Sequence, residues 1–150
     1  MEIPKKSDTY FMQEALKEAQ KAFDANEVPV GAVIVCNNKI IARSHNLTER
    51  LKDITAHAEM QAITSAANYL GGKYLSDCTI YITLEPCVMC VGALFWSQIS
   101  RIVYAADDPK QGYTLLKKNI LHPKTLVTKG ILSDESADLI KKFFKTKRNL

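Results

Sequence analysis

Along its middle the chain switches repeatedly between two hydrophobic periods. Residues 29–36 are a Val- and Ile-rich run of strand length, Asn37-Asn38 supplies a turn, and residues 39–44 return as a partner strand. A helical pattern starts near Thr55 or Ala56, places Met60, Ile63, Ala67 and Leu70 on one side, and stops at Gly71-Gly72. Residues 78–84 are again β-forming. Pro86 then suits the first turn of a helix running to about Trp96, and residues 101–106 form another strand. A first helix capped by Ser7 or Asp8 precedes this block, with Met12, Leu16, Ala19 and Phe23 on one face. A short strand at 126–128 follows it. Ser133 is expected to cap a last helix, at about 133–148, with Ala137, Ile140 and Phe144 on one face. Strands alternating with helices predict an α/β layered fold, and the opening hairpin makes its five-stranded sheet mixed. With no repeat, linker or low-complexity segment, the 150 residues are expected to form a single domain.

Composition narrows the class. At 47% hydrophobic and 24% charged residues, the chain excludes disordered, collagenous and disulfide-dense classes. It holds no apolar run of the roughly 20 residues that a bilayer requires. The N-terminus carries no signal core, so a cytoplasmic protein is expected, with no membrane partner. Residues 110–150 carry ten Lys and Arg against three Asp and Glu. This basic third fits either a polyanionic partner or a solvated helix face.

Two short segments carry chemistry. They are Thr55-Ala56-His57-Ala58-Glu59 and Glu85-Pro86-Cys87-Val88-Met89-Cys90, each at an expected helix start. Cys87 and Cys90, three apart, share one helix face and can reach one ion. His57 and Glu59, two apart, converge on one centre only if it lies beyond the helix end. Two thiolates and an imidazole select zinc, and three protein ligands leave its fourth position open, the catalytic arrangement. Two thiolates neutralise the ion formally, so a nearby base is needed, and Glu59 is placed to serve. Cys78 and His45 lack ligand spacing, and Cys36 reads as an inert strand residue.

With these residues in view, the chain resembles the zinc-dependent cytidine/nucleotide deaminase superfamily, whose H-x-E…P-C-x-x-C signature is a known case. Within it, the segments 27–33 (EVPVGAV), 55–59, 83–90 (TLEPCVMC) and 130–135 are similar to those of bacterial tRNA-specific adenosine deaminases. The resemblance implies a three-layer α/β/α, cytidine deaminase-like fold. It also implies one zinc per subunit on His57, Cys87 and Cys90, Glu59 as proton shuttle, and a homodimer. It further implies that Asn46 hydrogen-bonds the nucleoside and that Val30 lines the base pocket. Asp108 and Lys110 would meet nucleotides beside the target. Phe143, Phe144 and the basic residues after them would grip a tRNA anticodon stem-loop. The expected reaction converts the wobble adenosine to inosine. Two alternatives stay open: a deaminase of a free base or nucleoside, since small guanine deaminases carry an aromatic similar to that in Leu94-Phe95-Trp96, and a non-catalytic zinc-stabilised RNA-binding module.

Overall fold

The structure is a computed structural model that describes residues 5–148. The elements run α1 (Asp8–Asp24), β1 (Gly31–Cys36), β2 (Lys39–His45), α2 (Thr48–Leu51), α3 (Ala58–Leu70), β3 (Cys78–Leu84), α4 (Val88–Ser97), β4 (Arg101–Ala106), β5 (Leu126–Lys129) and α5 (Ser133–Arg148), with a 3-10 turn at Tyr113–Leu116 before β5. Ser7 caps α1, its side chain accepting from the backbone N–H of Tyr10. Asn37 and Asn38 both take positive φ, 52° and 62°, the pair of left-handed residues that a tight two-residue hairpin requires.

The five strands form one mixed sheet in the order β2-β1-β3-β4-β5. β1 is antiparallel to both β2 and β3, and β3, β4 and β5 run parallel. Because side chains alternate across a strand, the sheet feeds two cores. Ala32, Ile34, Ile80, Ile82, Ile102 and Tyr104 face α3 and α4. Val33, Val35, Tyr81, Val103 and Ala105 face the other way, onto Phe11, Met12 and Ala15 of α1. α5 packs on that same side, against β4, β3 and α1. The result is the three-layer α/β/α arrangement.

Several local expectations shift. The polar stretch from His45 to Thr55, which the sequence reads as an irregular loop, contains the four-residue helix α2. α3 begins at Ala58 rather than at 55 or 56, and α4 at Val88, which leaves Pro86 outside its first turn. The buried stripe of α3 is Ala58, Ala62 and Ala66, while Leu70 is exposed. Three alanines spaced by four let the helix axis approach the sheet closely, and the larger Ile63 fills the flank. In α5 the buried aromatic is Phe143, not Phe144, because Phe143 stacks edge-on against Phe23 of α1. Ser133 is the first residue of α5 rather than its cap.

The carboxyl ends of the parallel strands β3 and β4 point toward the same region, where ligands gather in open α/β sheets. The N-termini of α3 and α4 end there too. The shifts in helix start matter for this reason: they place His57 and Cys87 at the two N-cap positions.

Candidate metal centre

Neither residue caps its own helix through its side chain. Both point to the centre instead. The Nδ1 of His57 lies 3.7 Å from the Cys87 sulfur and 3.5 Å from the Cys90 sulfur. Cys90, in the first turn of α4, is fully buried. All three donor atoms lie within 4.8 Å of one another, the one such group among the described residues. A tetrahedral zinc, with Zn–S near 2.3 Å and Zn–N near 2.0 Å, has nitrogen–sulfur edges of about 3.5 Å. The donor set and its spacing therefore fit that ion.

The electrostatics agree. The Cys90 S–H and the His57 ring stabilise a thiolate at Cys87 and push its thiol down to about 4 despite burial. The N-terminal dipoles of α3 and α4 favour negative charge at the same point. The Cys90 thiol is shifted the other way, by its bond to the Cys87 sulfur and by burial. His57 is raised by its bond to Cys87. The protein alone thus keeps protons on Cys90 and His57 that a cation displaces.

Glu59, at the second position of α3, is 4% exposed. Burial pushes its carboxyl above the ordinary glutamate range. A carboxyl lifted toward neutrality and set beside three metal donors suits a group that takes up and returns a proton.

The other expected residues spread around this centre. Asn46 is buried, donates its backbone N–H to the Val30 carbonyl, and meets Thr48 through two long side-chain contacts of 3.4 Å. Val30 is half-buried against the α3 side of the sheet. Asp108 is a turn former: its Oδ1 accepts the backbone N–H groups of Lys110 and Gln111. Lys110 is exposed. Phe144 is exposed, with Phe143 beside it, on the wall of a groove that also carries His45, Arg50 and Lys147. Cys36 and Cys78 sit opposite each other across β1 and β3, away from the metal donors in sequence and strand end, and both are free thiols.

Sequence reasoning missed two buried carboxylates. Glu27 accepts the backbone N–H groups of Glu49 and Arg50 at 3.0 and 2.8 Å, and so anchors α2. Glu85 anchors the loop after β4. Both lie within the quoted motif segments. The signal available was an acidic residue beside Pro or Val in an apolar stretch with no basic neighbour.

Four similarities to known proteins bear on this geometry. A tRNA-specific adenosine deaminase of Aquifex aeolicus is 46% identical over 144 residues, which cover 93% of this chain and 95% of that protein. A solved structure from studies of A-to-I editing by tRNA:A34 deaminases at the wobble position of transfer RNA superposes with a TM-score of 0.82 at 41% identity, covering 87% of this chain and 99% of that one. The guanine deaminase of Bacillus subtilis is 34% identical with a TM-score of 0.68, over 79% of each chain. The cytidine and deoxycytidylate deaminase zinc-binding region matches residues 5–106. That span holds all three donors and Glu59, so the chain belongs to the zinc-binding cytidine and deoxycytidylate deaminase family.

Proposed function

We propose that this protein is a hydrolytic tRNA adenosine deaminase, a single domain that converts the wobble adenosine of an anticodon to inosine and releases ammonia. The observation that carries the reading is Glu59, buried beside the His57–Cys87–Cys90 cluster, in a chain 46% identical to a tRNA-specific adenosine deaminase over nearly its whole length. Zinc, when bound by His57, Cys87 and Cys90, supplies Lewis acidity toward the attacking water.

The chain's own residues do the rest. Glu59 takes one proton from the attacking water and gives it to the ring nitrogen, then takes the second from the new hydroxyl at C6 and gives it to the departing amine, so that the C6–N bond breaks as the C6 carbonyl forms. Water is consumed and the amino group is exchanged for oxygen. Asn46 and Val30 hold the nucleoside, while Asp108 and Lys110 meet its neighbours. An anticodon loop suits such a site because its bases are already unpaired. Phe144 offers an exposed ring, and Lys141, Lys142, Lys145, Lys147 and Arg148 meet phosphates without reading bases. Trp96 is 78% exposed, a large apolar side chain that we assign to contact with a second copy, forming a homodimer. No described helix is long and apolar enough to cross a membrane, and a tRNA substrate places the work in the cytoplasm.

The test is incubation of zinc-loaded protein with an anticodon stem-loop bearing adenosine at the wobble position. A mass increase of about one unit, as amine-to-oxo exchange demands, supports the reading. Unchanged RNA together with ammonia from guanine would replace it with free-base deamination.

A further inference from the structure

Glu85 stands between two parts of the site that the sequence treats as separate. Its backbone N–H donates to the carbonyl of Ala106, which ties the end of β3 to the end of β4. Its side chain, 4% exposed, reaches into the loop that follows β4. There Oε1 accepts the backbone N–H of Asp108 at 3.0 Å. Oε2 accepts the backbone N–H of Thr114 at 3.0 Å and its hydroxyl at 2.7 Å. No Lys or Arg pairs with it among the described residues. Every donor it meets belongs to the loop 107–114.

The rest of the loop is shaped around this carboxylate. A Cβ at Gly112 would overlap both carboxylate oxygens, so this glycine is required by contact and not by backbone conformation. Gly112 also bridges Cys87 in an isolated β-bridge, and Tyr113 donates its N–H to the Pro86 carbonyl. Two residues from Glu85, Cys87 is a metal donor; one residue into the loop, Asp108 folds the turn that presents Lys110.

We propose that Glu85 is a positioning residue that fixes the 107–114 loop against the metal-bearing segment, and so sets the grip on the nucleotides beside the target base. The proposal deepens the tRNA reading and rests on it. Glu85 touches neither metal donor nor substrate. Its work is to hold the loop's N–H groups at one distance from Cys87, so that a substrate gripped by the loop presents its base at the reacting depth. Three bonds to one carboxylate accomplish this without a mobile cation that a phosphate would attract away.

The experiment uses zinc-loaded full-length protein and the anticodon stem-loop. Deamination by the unaltered protein is the control that separates the two claims: if it fails, the tRNA reading falls before any variant is measured. Glu85→Gln presents an N–H₂ to donors that need an acceptor. It is expected to raise KM for the stem-loop about tenfold, while kcat at saturation falls by less than about threefold and zinc stays at one per chain. Thr114→Val keeps the backbone donors and removes only the hydroxyl, and is expected to raise KM about threefold. Gly112→Ala should mimic Glu85→Gln, and adding Glu85→Ala to it should do no further harm, because the added methyl then has room. Should Glu85→Gln fold poorly, Thr114→Val and the Gly112→Ala pair decide the matter. Equal KM with reduced kcat, loss of zinc in step with activity, or additive effects in the Gly112–Glu85 pair would each overturn the proposal and leave Glu85 a purely structural carboxylate.

Discussion

The buried and half-buried carboxylates of this protein fall into two groups. Those on α1 are matched by cations: Asp8 forms a two-pronged pair with Arg101, Glu14 meets Lys17 and Arg43, and Glu18 meets Lys21. Three others are not. Glu27, Glu59 and Glu85 are each at most 4% exposed, and none forms an ion pair among the described residues. Glu27 is satisfied instead by N–H groups of α2, and Glu85 by N–H groups of the 107–114 loop. The difference separates holding a fold from arranging a reaction. An arginine beside Glu59 would lower its pKa and lock it as a carboxylate, ending its use as a proton carrier. Backbone donors are fixed in place and bring no mobile charge to compete for zinc ligands or phosphate.

The hardest test of this contrast is to remove a donor from the unpaired side. Cys87→Ala is expected to abolish activity and bring zinc content close to zero, with the fold retained by the sheet and its two cores, as read by metal analysis and circular dichroism. Zinc uptake by the unaltered protein should weaken on acidification. His57 and Cys90 are both raised, so they keep their protons to higher pH, and each proton must leave before its atom can ligate. Retained zinc in Cys87→Ala would place the ion elsewhere. Next in size is Glu59→Gln, which keeps shape and zinc but removes the proton carrier. Its kcat should fall by about 10²–10⁴-fold. Full turnover with this variant would assign the proton transfers to another group.

Much of this was legible in the sequence, for a physical reason. Strand and helix periods are local, so five strands and the mixed sheet could be read directly, and Cys-x-x-Cys together with His-x-Glu marks a metal centre wherever the two helices begin. What the sequence hid was mostly non-local. The choice between Phe143 and Phe144 depends on where α1 presents Phe23, and the choice of the alanine stripe over the Met60–Ile63–Leu70 side depends on how closely α3 approaches the sheet. The same holds for Glu27 and Glu85, whose partners lie more than twenty residues away. Asn46 and Asp108 were expected as substrate-facing groups. Both also fold their own loops, a role that their residue type alone permits but does not reveal.

On the opposite side of the sheet, substitutions should cost stability and spare chemistry. At Gly31 the first residue of β1 lies so close to α1 that a Cβ would overlap the Ala15 carbonyl and the Ala19 nitrogen. Both obstacles are backbone, so no rotamer change relieves them. Gly31→Ala is expected to lower unfolding free energy by about 1–3 kcal/mol, measured by urea denaturation, with zinc content unchanged. A larger loss of zinc than of stability would mean that α1 is coupled to the metal donors, and the division between the two groups would fail.

The smallest effect belongs to the Asp8–Arg101 pair, where a guanidinium holds the carboxylate at 2.9 and 2.7 Å while Tyr81 donates to it at 2.7 Å. The bond from Arg101, followed by the Tyr81 hydroxyl, keeps Asp8 below the ordinary aspartate range in spite of partial burial. A carboxylate whose folded pKa is depressed adds stability above its unfolded value of about 3.9 and loses it as pH falls through the folded value. Arg101→Ala leaves Tyr81 in place and should cost about 1–2 kcal/mol at pH 7. The difference between variant and parent should shrink as pH drops below about 4, since the protonated carboxyl no longer rewards the arginine. Stability measured across that interval, together with unchanged kcat at neutral pH, isolates the pair. A constant gap at all pH values would instead trace the loss to the packing of the Arg101 side chain and its bond to Thr128, and the ion pairs of α1 would then be incidental to what holds that face.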